Sequence, residues 1–162
     1  MNRSDFLKQL RNIFKRAGFT NYKEHFYSRL SFDEMIVFGL QFSSYGKYCY
    51  IEYGYVFESI NKHMPYPKFN QLNLNCGRIM TEMGKAIIYE NIDSIFMINL
   101  ERTIMNLIEN MTRLISLGKD ELIQYYISGA SNQSWYIVGR ETADYFNLPL
   151  DTFNYHFIQD KK

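Results

Sequence analysis

The chain has 162 residues and a formal net charge of +1, with 46% hydrophobic and 17% aromatic residues. A chain of this length is expected to fold as a single domain, residues 1–162, around its own core. The near-neutral charge argues against a general nucleic-acid-binding protein, which needs a concentration of basic residues.

The first residues, MNRSDFLKQLRNIFKRAGF, carry charges throughout and contain no apolar segment typical of a signal peptide. No apolar run approaches the roughly 18 residues that a membrane span requires. The chain has two cysteines, Cys49 and Cys76, which a reducing compartment would keep as thiols. The sequence therefore predicts a cytoplasmic protein that does not contact a membrane.

The chain opens with the pattern of an amphipathic helix. Ser4 is the expected N-cap, apolar residues recur at spacings of three and four up to Ala17, and Gly18 suits the left-handed position that ends a helix. Three bases lie on one face of this helix and are interpreted as solvated: Lys8, Arg11 and Lys15.

Three alternating runs then predict the strands of an antiparallel sheet: His25–Leu30, Glu34–Phe42 and Lys47–Phe57. If residues 43–46 form the second link, Leu40 lies opposite Cys49, and the first hairpin sets Phe26 opposite Phe38. One face of the sheet is then apolar throughout. Alternate residues of the third run, which include Tyr53 and Tyr55, share that face and are predicted to lie in the core.

The remaining chain is predicted as a long loop, two short strands and three helices. These segments are the loop 60–77, the strands Arg78–Met83 and Ala86–Tyr89, and helices from Asn99 to Leu117, from Asp120 to Gly129 and over Arg140–Asn147. Residues 151–160 fit a strand and a helix equally. The predicted fold class is α+β: an N-terminal helix, an antiparallel β-sheet of three to five strands, and C-terminal helices packed on one sheet face.

The other face of the sheet carries the candidate site. In the predicted register, His25, Gly39 and Tyr50 form one cross-strand row, with Tyr27 and Glu52 in the next. The favoured interpretation is structural, because aromatic side chains often cover a strand glycine. A shallow ligand site and an interface with another chain remain alternatives. The candidate binding residues are His25, Tyr27, Arg29, Gln41, Tyr48, Tyr50, Glu52 and Arg78.

Other chemical signatures are weak. The three histidines lack metal-ligand spacing, and no motif indicates a cofactor, so neither a metal nor a cofactor is expected. The run Tyr53-Gly54-Tyr55-Val56 is similar to the centre of an RNA-recognition strand, but its flanks and the element order differ. Cys76, predicted in the loop near Arg78, could form a thiolate, although an ordinary thiol is favoured.

Several short motifs together resemble the small bacterial proteins of domain-of-unknown-function family 4304. The resemblance covers about residues 4–83 and is carried by Ala17-Gly18-Phe19, Phe26-Tyr27-x-Arg29, Leu40-Gln41-x-Ser43, Tyr53-Gly54 and Arg78-Ile79. It implies a soluble bacterial α+β protein. It implies no activity, because the family has none assigned.

Two functions follow from these patterns. The first is a non-enzymatic binding or protein-interaction module, comparable by analogy with toxin-immunity proteins, that uses the polar-aromatic face and the 60–77 loop. Its partner is a protein or a small ligand, and a homodimer through the same face is included. The second is a small-molecule-binding enzyme in which His25 is the acid or base, oriented by Glu52 or Tyr27, and Arg29 holds an anion.

Overall fold

A computed structural model describes residues 1–61, 65–67, 71–79, 81, 85–128, 137–138 and 140–148. The helices are α1 (Arg3–Arg16), α2 (Glu58–Asn61), α3 (Ser94–Ser116), α4 (Lys119–Ile127) and α5 (Arg140–Tyr145). The strands are β1 (Thr20–Tyr22), β2 (His25–Arg29), β3 (Glu34–Phe42), β4 (Tyr48–Phe57), β5 (Leu74–Ile79), β6 (Ile87–Ile88) and β7 (Ile137–Val138), and a 3-10 helix covers Tyr89–Asn91.

The strands form one antiparallel sheet in the order β1-β2-β3-β4-β5-β7, and β6 pairs with the beginning of β4. The predicted α+β class is confirmed. The described residues contribute seven strands instead of three to five. The strand predicted over Ala86–Tyr89 is present as β6. The two strands that were not predicted, β1 and β7, have three and two residues, which is too short for an alternating pattern to be recognised.

The register of the first hairpin is as predicted, with Phe26 opposite Phe38. In the second hairpin Leu40 lies opposite Ile51, two residues beyond the predicted Cys49, because the link covers residues 44–47 instead of 43–46 and is closed by Ser43 and Tyr48. A shift of two residues keeps every side chain on its face. The predicted burial of Tyr53 and Tyr55 is therefore confirmed, and they are 3% and 0% exposed.

Two predicted helix starts are wrong. Helix α1 begins before Ser4, because the side chain of Asn2 accepts a hydrogen bond from the Asp5 N–H at 2.9 Å. Helix α3 begins five residues before Asn99, because the carboxylate of Asp93 accepts one from the Phe96 N–H at 2.7 Å. The predicted helix ends agree better: Gly18 and Gly118 both have positive φ, 81° and 104°.

The helices pack on one face of the sheet, as predicted. From α1, the ring of Phe14 stacks on Phe26 with centroids 4.1 Å apart. From α3, the carbonyl of Met111 accepts a hydrogen bond of 3.2 Å from the hydroxyl of Tyr55. Directly after α5, the ring of Phe146 lies nearly perpendicular to that of Phe57, with centroids 5.3 Å apart. These elements enclose one continuous apolar core.

The predicted loop 60–77 contains more regular structure than expected. Its beginning overlaps α2, and its end forms the first four of the six residues of β5, so the strand predicted over Arg78–Met83 begins four residues too late. The pairing of β4 with β5 shifts between Tyr53 and Gly54, where β5 has an extra residue at Cys76. Such a bulge interrupts the alternation on which a strand prediction depends.

The described part of this loop covers half of the other sheet face. The hydroxyl of Tyr27 donates to the carbonyl of Pro67 at 3.1 Å. Below it lies a second apolar cluster of buried residues, against which Leu72 packs: Tyr27, Met35, Val37 and Val56. Residues 151–160, Trp135, His63 and His156 lie outside the described residues.

Asp33 joins three distant segments. Its carboxylate accepts hydrogen bonds from the Ser59 N–H at 2.7 Å, the Ser59 hydroxyl at 3.2 Å and the Tyr145 hydroxyl at 2.8 Å. Burial raises the pKa of Asp33, but these hydrogen bonds outweigh it and lower the pKa below the ordinary 3.8. The link between β2 and β3 is thereby tied to α2 and α5.

We expect Asp33→Asn to lower the free energy of unfolding by about 1 kcal/mol at pH 7, because charge-assisted hydrogen bonds are lost. An acid with a lowered folded-state pKa stabilises the protein above its unfolded pKa, and this contribution disappears as pH falls through the folded pKa. Urea denaturation at pH 7 and pH 3 should therefore show a smaller pH effect in the variant than in the wild type. An equal pH effect in both would contradict this role for Asp33.

A substitution at Gly54 should damage the sheet severely. An added Cβ would clash with the carbonyl oxygen of Leu74 and lie 3.2 Å from the Cα of Asn75, both backbone atoms that cannot move aside. We expect Gly54→Ala to cost about 3 kcal/mol or more. The matched control is Gly18→Ala, where a Cβ meets nothing within 4 Å and only left-handed strain of about 1 kcal/mol is added. Similar urea midpoints for the two variants would refute the prediction.

Candidate functional site

The observed register brings together a different row from the one predicted. His25, Gly39, Glu52 and Arg78 lie side by side on β2, β3, β4 and β5. Tyr50, predicted beside Gly39, instead lies opposite Gln41 in the next row. The shift of two residues in the second hairpin accounts for both changes. The side chains of His25, Tyr50 and Glu52 remain on the predicted face, and Arg78 joins them through the pairing of β4 with β5.

Glu52 and Arg78 form an ion pair in the middle of the sheet. The Nε of Arg78 donates to Oε1 of Glu52, and its guanidinium lies 4.8 Å from the ring centroid of Tyr50. Glu52 is only 3% exposed. Burial raises the pKa of Glu52, and the hydrogen bond and charge of Arg78 offset part of this effect. Arg78 therefore balances a carboxylate that would be costly to bury alone.

The part of the face beside this ion pair is accessible to solvent, and we call it the open half. It consists of Gln41, Tyr48, Tyr50, Arg78 and Ile88. The rings of Tyr48 and Tyr50 are nearly perpendicular, with centroids 6.3 Å apart. Ile88, directly opposite Tyr48 on β6, is 50% exposed. Ile88 lies in the strand predicted over Ala86–Tyr89, but it was not among the predicted site residues.

Tyr27 and Arg29 lie apart from the open half. Tyr27 is buried under the loop, and burial, with further contributions from Tyr22 and Tyr66, raises its pKa to about 12. The guanidinium of Arg29 pairs with the carboxylate of Glu58. The candidate residues therefore divide into two groups, one in the open half and one beneath and beside the covering loop.

His25 lies between these groups. It is half-buried, its ring is 6.2 Å from that of Tyr27, and burial lowers its pKa although the charge of Glu24 opposes this. Within the described part of the chain, the carboxylate of Glu52 pairs with the guanidinium of Arg78, and no hydrogen bond or ion pair joins Glu52 to His25. The two residues share a row, with the buried Gly39 between them.

The cysteines are structural. Cys76 is not in a loop as predicted but is fully buried in β5, and burial raises the pKa of its thiol. Burial likewise raises the pKa of Cys49 to about 12. The suggestion of a Cys76 thiolate is therefore wrong, because the site excludes the water that would stabilise the charge. Among the described residues, no group of three His, Cys, Asp or Glu side chains could hold a metal ion.

Replacing Arg78 by Met should leave Glu52 buried without a partner. We expect a loss of about 2 kcal/mol at pH 8, below the usual cost of breaking a fully buried pair because the Arg78 side chain is 34% exposed. An acid with a raised folded-state pKa is destabilising above that pKa, and removing Arg78 raises it further. The deficit measured by urea denaturation should therefore be smaller at pH 5 than at pH 8.

The double variant Glu52→Gln/Arg78→Met is the control for this prediction, because it removes the buried charge together with its partner. It should recover part of the lost stability and show little change in its deficit between pH 5 and pH 8. A double variant less stable than Arg78→Met would contradict the importance of the ion pair.

Comparisons with known proteins agree with the resemblance seen in the sequence. The model of the family described as Domain of unknown function (DUF4304) matches residues 10–121. Searches of curated proteins and of solved structures gave no match. Among the described residues, none of the helices is long and apolar enough to cross a membrane. Since the matched region spans more than half of the sequence, the chain belongs to the DUF4304 family.

Proposed function

We propose that this chain is a non-enzymatic binding module that recognises a protein partner through the open half of the sheet. The observation that carries the proposal is the arrangement of Arg78, which is paired with the buried Glu52 and stacked on Tyr50. Tyrosine and arginine are among the residues most often found as energetic anchors of protein interfaces. Here they stand beside the exposed apolar side chain of Ile88.

The anchors are already held in position before a partner binds. The guanidinium of Arg78 is fixed on one side by a carboxylate and on another by an aromatic ring, so little side-chain freedom remains to be lost on binding. The neighbouring charges are also paired, since Lys47 bonds to Glu90 beside Tyr48 and Ile88. A surface with balanced charge suits a protein better than a nucleic acid.

We also propose that the protein is bacterial and cytoplasmic. This proposal is supported by the family resemblance and by two buried cysteines that are unpaired, as expected in a reducing compartment. A second copy of the chain is one protein that could occupy the open half, since a two-fold dimer uses the same surface on both subunits.

Site-specific photo-crosslinking in cells tests the proposal. A benzophenone amino acid at position 48 should give a discrete crosslinked product, identified by mass spectrometry as another protein or a second copy. The matched control is position 32, where Phe32 is 88% exposed but far from the open half. Ile88→Arg, an exposed position, should abolish the product and leave the unfolding midpoint nearly unchanged. The same product from position 32, or none from position 48, would count against the proposal.

A second candidate is a small-molecule-binding enzyme that uses His25 and Glu52. The specific observation in its favour is that the two share a cross-strand row, with the pKa of His25 lowered and that of Glu52 raised. Against it stands the pairing of Glu52 with Arg78. A fragment screen that follows the imidazole NMR signals of His25 tests this candidate, which requires hits whose effect on His25 is lost in Glu52→Gln.

A further inference from the structure

Strand β2 has a backbone edge that its neighbour covers only in part. On its inner side, the Leu40 N–H donates to the carbonyl of Glu24 and the Leu30 N–H donates to the carbonyl of Glu34, each at 2.9 Å. In an antiparallel sheet, successive residues of a strand direct their backbone N–H and C=O groups alternately to the two neighbouring strands. The even-numbered residues of β2 therefore bond towards β3, and the odd-numbered residues direct their N–H and C=O groups towards β1.

Strand β1 stops before it reaches Arg29. Tyr22 lies opposite His25 and Thr20 lies opposite Tyr27. The next hydrogen-bonded pair, two residues further along each strand, would be Gly18 opposite Arg29. Gly18 instead ends helix α1: its φ is 81° and its N–H donates to the carbonyl of Lys15 at 3.1 Å. Among the described residues, no strand lies beside the outward N–H and C=O of Arg29.

A cavity of about 320 Å³ lies at this place. Its lining includes Thr20 and Arg29 at the edge, Met35 on the sheet face, and Tyr27 and Tyr66 as aromatic walls. The rings of Tyr27 and Tyr66 have centroids 5.5 Å apart and an interplanar angle of 64°. The volume is at the lower end of the roughly 300–1,000 Å³ typical of ligand pockets, which suits one side chain better than a large molecule.

We propose that this pocket binds an extended peptide segment of a partner protein. One peptide residue placed opposite Arg29 would accept a hydrogen bond from its N–H and donate one to its C=O. Opposed residues in a sheet share a face, so the side chain of that residue falls on the face of Tyr27 and Met35. The charge of Arg29 is balanced by Glu58, and the pocket therefore selects an apolar or aromatic side chain.

This site goes beyond the proposed function. Its lining includes Pro65 and Tyr66 of the covering loop, and none of its lining residues is part of the open half. Its geometry depends on the early end of β1, whereas the open half depends on the pairing of β4 with β5 and β6. Each site can therefore fail its test without affecting the other.

Amide-detected NMR of the whole chain tests the proposal with a capped tripeptide, N-acetyl-Thr-Phe-Thr-amide. At millimolar concentrations it should shift the amide signals of Thr20, Arg29 and Tyr66 and slow the hydrogen exchange of the Arg29 amide. The analogue that carries an N-methyl group on the Phe amide lacks the required donor and should bind about tenfold more weakly. Equal binding of the two peptides would overturn strand addition.

Two variants and one small molecule complete the test. Tyr66→Ala should weaken peptide binding at least about fivefold, and Tyr45→Ala, at a position that is 95% exposed, should not. In the free protein the Arg29 amide should exchange faster than the Tyr27 amide, which is bonded to β1. Equal protection of these two amides, or peptide-induced shifts confined to Tyr48 and Tyr50, would refute the proposal. Phenol that reproduces all shifts of the peptide would assign the pocket to small aromatic molecules instead.

Discussion

Nine directly opposed residue pairs join β3 to β4, from Glu34 opposite Phe57 to Phe42 opposite Cys49. Because neighbours in a strand point to opposite faces, this pairing divides the sheet into a helix-covered face and a second face that is partly open. The pairing determines which aromatic side chains lie in the core, and it places Glu52 in the row that contains Gly39. A slip of one residue would exchange the two faces and bury Tyr48 and Tyr50 in place of Tyr53 and Tyr55.

The sequence predicted which residues share a face of the sheet better than it predicted which residues lie opposite one another on neighbouring strands. The alternation of Cys49, Ile51 and Tyr53 with polar neighbours indicated which side chains lie in the core, and their burial agrees. The row depends on the position of the hairpin link, and a link displaced by one residue along the chain shifted the pairing by two positions. Apolar matching could not detect this shift, because Leu40 packs equally well beside Cys49 or Ile51.

The candidate site was predicted less completely, for a related reason. Arg78 reaches Glu52 only because β5 pairs with β4, and the sequence around Cys76 and Gly77 resembles a loop on account of the bulge. Ile88 belongs to the short strand predicted over Ala86–Tyr89, but its place beside Tyr48 depends on the pairing of that strand with β4. Local alternation therefore identified the residues of the predicted strands, whereas their partners were set by distant pairings that a local pattern does not contain.

The hydrogen bond between Tyr145 and Asp33 joins residues 112 positions apart, and this separation affects how the chain is synthesised. The hairpins containing Asp33 and Phe57 leave the ribosome long before α5 is available to cover them. At synthesis rates of about 5–20 residues per second, the interval is several seconds. Phe57 then lacks its contacts with Tyr145 and Phe146, and the nascent sheet exposes an aromatic surface to chaperones and to other unfinished chains.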